Sequence, residues 1–283
     1  MKKIFYSILV FLLILLNFST VCADDVDNEV DFEDTIEVTA SNVSELPKTN
    51  SRRYIVYDRI SKSMIIGKNE DIKSAMASTT KIMTTIVILE KADLNETVTV
   101  SAKAGGTGGS RLGLKRGDKA SVRDLLYGLM LRSGNDAAVA LAEHVGGSVK
   151  EFAELMNEKA IELGLTNTHF VTPHGLDDAN HYTTALELAK LTDYAMNNET
   201  FSKIVGTKSI TIYINNQPRQ INNTNELLGV LNGVVGVKTG FTNNAGRCLV
   251  TETKRNNMDI ITIVLGADTK KDRTKDSVNL IEY

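Results

Sequence analysis

The order of segments along the chain is the feature that most restricts its fold. Two strand candidates, Tyr54–Tyr57 and Ser63–Gly67, open the globular part and are close enough in sequence to form a hairpin. Segments with the apolar spacing of helices follow, and the last third of the chain returns to strands. Strands at both ends with helices between them predict an α+β fold, a sheet with a helical insertion.

Each further element is predicted from its own local pattern. Thr184 and Glu187 form a capping box that opens a helix, and closely spaced glycines indicate a flexible loop at 104–110. The other helices are predicted over 78–91, 122–131, 136–145, 149–163 and 272–283, and the other strands over 98–100, 209–214, 233–239, 247–253 and 260–266.

The composition is that of an ordinary globular protein. Of the 283 residues, 42% are hydrophobic and 24% are charged, which excludes collagen-like, intrinsically disordered and polytopic membrane proteins. Two cysteines exclude a disulfide scaffold and a cysteine-based zinc module. The length allows one large domain or two small ones, and the composition does not change again after Arg53.

The first 50 residues differ from the rest. Lys2 and Lys3 precede the uncharged, mostly apolar run Ile4–Leu16, and the residues that follow fit a signal-peptidase site after Ala23. An uncleaved membrane anchor is the alternative, but a membrane span needs about 20 apolar residues. The predicted divisions are a signal peptide at 1–23, an acidic flexible leader at 24–50 and a folded domain at 51–283. The protein is therefore expected to be secreted or extracytoplasmic.

Charge is divided unevenly between these parts. The first 23 residues carry +2 and residues 24–47 carry −9, so that residues 48–283 carry +4 within a formal net charge of −3. A mildly basic domain weakly favours an anionic ligand, but the charge is too small to indicate nucleic-acid binding. Cleavage of the signal would leave Cys248 as the single thiol, which its apolar surroundings in the sequence identify as a core residue.

The sequence predicts neither a metal ion nor an organic cofactor. Its four histidines form no H-E-x-x-H motif. Residues 233–239 resemble a phosphate-binding loop only faintly, because Val237 occupies the glycine position before Lys238. The sparse aromatic residues form no stripe on which nucleic-acid bases could stack.

Three short motifs occur in a fixed order along the chain. They are Ser78-Thr-Thr-Lys81, Ser133-Gly-Asn135 and Lys238-Thr-Gly240. A single motif of the first kind is better explained as a helix N-cap followed by a solvated lysine, and one of the second kind as an ordinary turn. The three together, each in a suitable local structure, predict the site of a serine nucleophile.

The spacing suggests how this serine would be activated. Ser78 and Lys81 stand at i and i+3 at the start of a helix and share a face, so a neutral Lys81 can take the Ser78 proton. The pKa of Lys81 must then lie well below its usual value of about 10.4, and burial and a nearby Lys238 would both lower it. Backbone N–H groups at the helix start, together with that of Phe241, are expected to form an oxyanion hole.

The second motif is predicted to handle the proton and the substrate backbone. The Ser133 hydroxyl is expected to pass a proton between Lys81 and the leaving group, because it follows a helix at a point where Gly134 breaks the chain. The Asn135 amide can hold both Lys81 and the substrate backbone.

The third motif is predicted to bind the end of the substrate. Lys238 and Thr239 suit a carboxylate, and Gly240 would let the substrate approach its strand closely. If residues 240–246 form a hairpin turn, Arg247 falls opposite Thr239 and adds a bidentate contact to the same carboxylate.

The motifs and their flanks resemble those of a known family. Over residues 50–283 the sequence is similar to the low-molecular-mass penicillin-binding proteins that act as serine D-Ala-D-Ala carboxypeptidases, peptidase family S11. The stretches that carry the resemblance are Ala77–Thr84, Leu131–Ala138, Leu163–Phe170, Pro173–Asp177, His181–Ala185 and Gly236–Thr242.

The resemblance implies a fold and a reaction. The fold is the β-lactamase/transpeptidase-like one, an antiparallel sheet flanked by helices with an all-helical subdomain. The reaction is the acylation of Ser78 by a peptidoglycan stem pentapeptide, release of its terminal D-alanine and hydrolysis of the ester, in cell wall biogenesis and cell shape. β-Lactams would be acylating inhibitors. The 104–110 loop and His174 are expected near the cleft.

The chain departs from the family at its C-terminus. Many members continue into a β-rich second domain and an amphipathic membrane anchor, whereas this sequence ends at Tyr283. The expectation is therefore an enzyme without a stable membrane anchor, apart from an uncleaved signal.

Three other functions share parts of the pattern. A class A β-lactamase needs a deacylating glutamate between the second and third motifs, and residues 164–182 contain no Glu. A serine esterase of similar architecture is a second alternative. A non-catalytic wall-binding or β-lactam-sensing domain is the third, although a sensor should carry further transmembrane segments and a pseudoenzyme should lack a catalytic residue.

Overall fold

The computed structural model describes residues 45–283. Within this range the strands are β1 (Arg53–Asp58), β2 (Ser63–Lys68), β3 (Thr97–Thr99), β4 (Lys119–Ser121), β5 (Ser209–Ile214), β6 (Gln217–Asn222), β7 (Val234–Thr242), β8 (Gly246–Arg255) and β9 (Met258–Ala267). The helices are α1 (Lys81–Lys91), α2 (Ala102–Gly105), α3 (Val122–Leu131), α4 (Asn135–Gly146), α5 (Val149–Glu162), α6 (Ala185–Met196), α7 (Glu199–Val205) and α8 (Lys270–Glu282).

Five strands form one antiparallel sheet in the order β2-β1-β9-β8-β7. The pairing of β1 with β9 joins the first strand to the last, so the helices between them form an insertion, as the element order predicts. Strands β3 and β4 form a small separate sheet, as do β5 and β6. Strand β7, which carries the third motif, lies at an outer edge of the main sheet.

Both faces of the main sheet are covered. On one face, Val278 and Leu280 of α8 pack in clusters with Leu249 of β8 and Val264 of β9. On the other face, the side chains of the residues in between, such as Val250, join the large core formed with α1 and the other helices of the insertion. Because successive residues of a strand point to opposite faces and both faces are covered, β8 and β9 are buried over most of their length.

The start of α6 follows the capping rules. The Thr184 hydroxyl accepts the Glu187 N–H at 3.1 Å, so the predicted N-cap of α6 is present. The Glu187 carboxylate, however, accepts the N–H of Asn167 and the hydroxyl of Thr168, and it ties the preceding loop to α6. Half of the predicted capping box is thus used for a tertiary contact.

Several local predictions differ from the structure. The first predicted helix begins with a 3-10 turn, Ala77–Thr80, before α1, and the predicted 104–110 loop begins within α2. Strands β4 and β6 and helix α7 carry too few apolar residues in a regular spacing to have been predicted. Ile221, for example, is the one buried residue of β6.

The predicted N-terminal segments lie largely outside the described residues. The signal peptide at 1–23 and the leader up to residue 44 belong to that part. Residues 45–50 have no regular secondary structure, and the Asn50 N–H donates to Asp276 of α8 at 2.9 Å. None of the helices within residues 45–283 combines the length and the apolar character that a membrane crossing requires.

Candidate active site

Ser78 lies in the 3-10 turn that leads into α1. The backbone of Ala77 is left-handed, with a φ of 48°, and the hydroxyls of Thr79 and Thr80 donate to the carbonyls of Met76 and Ala77 at 2.6 and 2.8 Å. These bonds fix the turn from inside the protein. Ser78 is half-buried while the other three residues of the turn are buried, so its hydroxyl is the one that meets the cleft.

Lys81 is fully buried at the start of α1. Its Nζ lies 2.8 Å from each of three acceptors, which are the Ser78 Oγ, the Asn135 Oδ1 and the His174 carbonyl oxygen. Burial lowers the pKa of Lys81 well below its ordinary value, the charge of Lys238 lowers it further, and the charge of Asp136 opposes the shift. The structure thus brings Ser78, Lys81 and Asn135 into direct contact.

The second motif forms the connection between α3 and α4. Ser133 is buried and has a left-handed backbone, with a φ of 56°. Asn135 is the first residue of α4, and its Nδ2 donates to the Gly108 carbonyl at 2.8 Å. This bond fixes which end of the amide faces Lys81, and it places the 104–110 loop at the site.

Two glycines allow other segments to approach the Ser78 turn closely. A Cβ on Gly240 of β7 would lie 3.1 Å from the Ser78 nitrogen. Gly175, with a φ of +85°, is tighter still, because a Cβ there would lie 1.9 Å from the Ala77 oxygen and 2.5 Å from the Thr80 Oγ1. The close approach at Gly240 is thus to the nucleophile turn itself, whereas the sequence predicts an approach of the substrate at this glycine.

The third motif places two buried side chains on β7. Lys238 is buried on the side of Lys81, whose pKa its charge lowers. Thr239 is also buried, and its Oγ1 lies 2.8 Å from that of Thr224. Phe241 follows on the same outer strand.

The predicted position of Arg247 is wrong by two residues. Strand β7 continues to Thr242 and β8 begins at Gly246, so Arg247 pairs with Phe241 and Thr239 pairs with Leu249. The Arg247 guanidinium stacks over the Phe241 ring at 3.9 Å from its centre. The prediction assumed a hairpin turn at residues 240–246, but the ladder continues through Gly240 to Thr242.

Two histidines support the site in a neutral form. Burial, followed by the charge of Lys81, lowers the pKa of His174 to about 3, and burial lowers that of His181 to about 4. The His181 Nδ1 accepts the Val171 N–H at 2.9 Å, so its Nε2 donates to the Thr80 Oγ1 at 2.8 Å. The expected approach of His174 to the cleft occurs through its carbonyl oxygen, on Lys81.

Several residues that hold this arrangement were not predicted from the sequence. Asp177 accepts the Thr242 hydroxyl at 2.6 Å and ties the loop of His174 to the end of β7. Asp136 is fully buried beside Asn135, and Gly175 lies against the Ser78 turn. Asp136 directly follows the second motif, which was the available signal. The others come from distant positions and carry no local pattern.

No metal site is evident in the part of the chain that the structure describes. Within residues 45–283, no three His, Cys, Asp or Glu side chains come together in a group that could hold an ion.

Comparisons with known proteins agree with this geometry. The family model of D-alanyl-D-alanine carboxypeptidases, peptidase family S11, matches residues 39–269. DacF of Bacillus subtilis (strain 168), a D-alanyl-D-alanine carboxypeptidase, is 37% identical over 235 residues, which cover 81% of this chain and 60% of DacF. DacC of Escherichia coli (strain K12), which has the same description, is 38% identical over 268 residues, which cover 86% of this chain and 63% of DacC. The chain thus spans about three fifths of the length of these two relatives.

Solved structures show the same fold. The Streptomyces K15 DD-transpeptidase superposes with a TM-score of 0.79 at 34% identity, over 84% of this chain and 98% of that one. The D-alanyl-D-alanine carboxypeptidase DacD from Francisella tularensis gives a TM-score of 0.78 at 29% identity, over 87% and 73% of the two chains. The predicted transpeptidase-like α+β fold is confirmed. The chain belongs to the D-alanyl-D-alanine carboxypeptidases of peptidase family S11.

Proposed function

We propose that this protein is a serine DD-carboxypeptidase that removes the terminal D-alanine from peptidoglycan stem pentapeptides. The observation that carries the proposal is the buried Lys81 amine, 2.8 Å from the Ser78 Oγ. An amine whose pKa is lowered by burial and by Lys238 loses its proton more easily than an ordinary lysine, and in its neutral form it accepts the proton of the Ser78 hydroxyl. The family membership and the K15 structure support the same reaction class.

Acylation begins with attack of the Ser78 Oγ on the carbonyl carbon of the penultimate D-alanine. Lys81 takes the hydroxyl proton as the new C–O bond forms, and the carbonyl oxygen becomes an oxyanion. The backbone N–H groups of Ser78 and Phe241 are the proposed donors to this oxyanion. The closeness of β7 to the Ser78 nitrogen at Gly240 supports this assignment.

Collapse of the tetrahedral intermediate breaks the peptide C–N bond. The leaving nitrogen needs a proton, and Ser133 passes it one while regaining one from the Lys81 ammonium. Asn135 holds Lys81 and offers its side chain to the substrate backbone. Free D-alanine leaves, and the rest of the stem peptide stays on Ser78 as an ester.

Deacylation returns the enzyme to its starting state. A water molecule, deprotonated by the neutral Lys81, attacks the ester carbon, and the proton goes back to the Ser78 oxygen as the C–O bond breaks. An amine at the same position would give transpeptidation instead of hydrolysis.

The carboxylate of the terminal D-alanine is assigned to the third motif. Lys238 and Thr239 supply a cation and a hydroxyl on the edge strand next to the nucleophile. Arg247 shares the face of Thr239, two pairs further along the ladder, and is the proposed additional cation.

β-Lactams are the proposed inhibitors of this enzyme. Penicillin would acylate Ser78 by opening of its ring, and the adduct would be hydrolysed slowly. In this structure the 164–182 stretch meets Lys81 through the His174 carbonyl oxygen and contains no Glu. A class A β-lactamase is disfavoured for that reason. Because the proposed substrate is peptidoglycan and a signal is predicted at 1–23, we assign the reaction to the cell-wall side of the membrane.

The direct test is release of D-alanine from a pentapeptide that ends in D-Ala-D-Ala. The purified protein should release it, and Ser78→Ala should lower the rate at least about a thousandfold. Ser209→Ala, a change of an exposed serine on β5, is the matched control and should keep the wild-type rate. No release by a folded protein that penicillin still acylates would indicate a strict transpeptidase, and failure of both reactions would indicate a binding or sensing domain.

A further inference from the structure

Asp136 is a buried carboxylate next to the motif residues, and none of the steps above uses it. It is fully buried at the start of α4. Its Oδ1 accepts the N–H groups of Leu112 and Ala137 at 2.8 and 2.9 Å, and its Oδ2 accepts those of Gly113 and Leu114 at 2.8 and 2.9 Å. With four backbone donors a carboxylate has its main acceptor positions occupied. Asp136 therefore acts on its surroundings and not on a substrate.

The backbone that Asp136 holds is continuous with the segment that orients Asn135. The Ser110 carbonyl accepts the Asn135 N–H, and the Gly108 carbonyl accepts its Nδ2, both at 2.8 Å. Because the amide nitrogen is committed to Gly108, the amide oxygen faces the Lys81 Nζ. Residues 108–114 are thus fastened at one end by Asn135 and at the other by Asp136.

The held segment passes close to the Asn135 amide. Gly109 has a φ of +77°, and a Cβ at that position would lie 2.7 Å from the Asn135 Nδ2. A shift of the segment by a fraction of an ångström would therefore change the direction in which the Asn135 oxygen points. The four N–H bonds of Asp136 prevent such a shift, since each bond to a charged acceptor is stronger than a bond to a neutral one.

Several charged or titratable groups face this region from different elements. Lys81 approaches from α1, Lys238 from β7 and the neutral His174 from its loop. Arg111, in the held segment itself, has its Nε 3.9 Å from the Asp136 Oδ2 and is partly exposed. Burial and Lys238 lower the pKa of Lys81, and Asp136 is the group whose negative charge opposes them.

We propose that Asp136 is a positioning residue of the reaction, whose buried charge and four backbone bonds hold Asn135 against Lys81 and stabilise the Lys81 ammonium that forms during acylation. The proposal rests on the proposed function for its role in catalysis. Two of its parts can be tested without turnover. They are the effect of the Asp136 charge on Lys81 and the restraint of residues 112–114 by the backbone bonds to Asp136.

The test compares Asp136→Asn, which keeps the shape and removes the charge, with Asp118→Asn. Asp118 accepts the Lys115 N–H at 2.8 Å in the neighbouring turn, so the control also removes a carboxylate from a backbone donor. Two measurements are made on each protein. Amide hydrogen exchange follows the N–H groups of residues 112–114, and NMR with 13C-labelled lysine follows the titration of Lys81.

In Asp136→Asn the amides of residues 112–114 should exchange at least about tenfold faster, because an amide cannot accept from all four donors. The titration midpoint of Lys81 should move to lower pH, because the charge that favours the ammonium is gone. Asp118→Asn should leave both unchanged. A purely structural role would instead loosen the segment, admit water to Lys81 and move the midpoint upward, so an unchanged or higher midpoint overturns the proposal.

The acylation rate with a fluorescent penicillin, measured against pH, gives the link to catalysis. The acid limb of the profile should move to lower pH in Asp136→Asn together with the Lys81 midpoint, and the rate at its maximum should fall at least about tenfold. If the wild-type protein is not acylated at all, the proposed function fails, and the titration still decides the role of Asp136. If Asp136→Asn does not fold, Asp136→Ser, whose hydroxyl can still accept one N–H, replaces it in all three measurements.

Discussion

At the scale of single residues, the surroundings of the Lys81 amine explain how a lysine can act as a base. Its three acceptors are a hydroxyl, an amide oxygen and a backbone carbonyl, each at 2.8 Å and none of them charged. Neutral acceptors hold the amine in place without a full counter-charge for the ammonium. Burial and the second cation, Lys238, therefore determine the direction of the pKa shift.

A second residue-scale point concerns Arg247 and the substrate carboxylate. Arg247→Ala should raise KM for a peptide ending in D-Ala-D-Ala about tenfold, because one cation near the carboxylate is lost. The matched comparison is the same peptide with a C-terminal amide, whose KM should change by less than about twofold. Equal effects on the two peptides would mean that Arg247 acts through its stacking on Phe241 and not through the carboxylate.

Gly175 provides a prediction on the nucleophile turn. Gly175→Ala should reduce the rate of Ser78 acylation at least about a hundredfold, because its Cβ would overlap the Ala77 oxygen and displace the turn. The control is Gly164→Ala. Gly164 also has a left-handed backbone, with a φ of +69°, but its Cβ would meet no atom within 4 Å.

The free energy of unfolding should fall by about 1–2 kcal/mol in both glycine variants, because alanine is disfavoured in a left-handed backbone. Denaturant unfolding measures this common part, and fluorescent penicillin measures acylation. Equal acylation rates in the two variants would show that the contact between Gly175 and the turn does not matter for the reaction.

At the scale of elements, the sequence predicts the local structure of the motifs well but does not predict how distant segments meet. The i, i+3 spacing of Ser78 and Lys81 is a local feature, and the side chains are indeed in contact. The register of β7 and β8 depends on where the turn lies, and the structure places the turn after Thr242 instead of at residues 240–246. The Asp177–Thr242 bond joins positions 65 residues apart, for which no local pattern exists.

An ion cluster links four elements away from the site. Arg59, just after β1, contacts Asp193 of α6, Glu252 of β8 and Asp259 of β9. Burial raises the pKa of Glu252 to about 7, and Asp259 adds to the rise while Arg59 opposes it. Glu252 thus retains a proton in the folded protein at a pH where the unfolded chain has released it.

Glu252→Gln should remove the pH dependence of the free energy of unfolding that results from this retained proton. The stability that the raised pKa contributes is full below pH 4.5, the ordinary value for Glu, and is lost as the pH rises through about 7. Between these limits the free energy of unfolding of the wild type should fall relative to the variant by roughly 3 kcal/mol. The lowered pKa values of His174 and His181 act in both proteins and cancel in the difference.

Denaturant unfolding at several pH values measures this difference. Glu154→Gln, a change of an exposed carboxyl on α5, should follow the wild type at every pH. A difference between wild type and Glu252→Gln that stays constant from pH 4.5 to 7 would contradict the assignment.

At the scale of the whole molecule, the described start of the chain is fastened to its C-terminal helix. The Asp276 Oδ2 on α8 accepts the N–H groups of Asn50 and Ser51 at 2.9 and 2.7 Å, and also the Ser51 hydroxyl. These bonds lie beside β1 and β9, which join the two ends of the domain within one sheet.

Asp276→Asn should therefore lower the free energy of unfolding by about 2–3 kcal/mol, because an amide oxygen replaces a charged acceptor for three donors in a buried place. Asp268→Asn is the control. It removes an exposed ion pair with Arg52, which should contribute less than about 1 kcal/mol. Denaturant unfolding measures both variants. Similar losses of unfolding free energy would show that the buried bonds to Asp276 add no more stability than an exposed ion pair does.

The fold class was predictable at this scale because the order of strands and helices limits how a sheet can form. The pairing of β1 with β9 follows from strands at both ends of the domain. The residues that close the site, such as Gly175 and His181, were not predictable, since their roles depend on a tertiary contact with the Ser78 turn. The motif residues were identified by their types and order, and their environment came only with the structure.

The most direct test of the account is to find where penicillin binds covalently. Intact-protein mass spectrometry after incubation with benzylpenicillin, followed by peptide mapping, should show one penicilloyl group, on Ser78. The adduct should be absent from Ser78→Ala and should form at least about a hundredfold more slowly in Lys81→Arg, whose guanidinium stays protonated and cannot accept the serine proton. An adduct on another residue, or none on a folded protein, would contradict the assignment of Ser78 and Lys81.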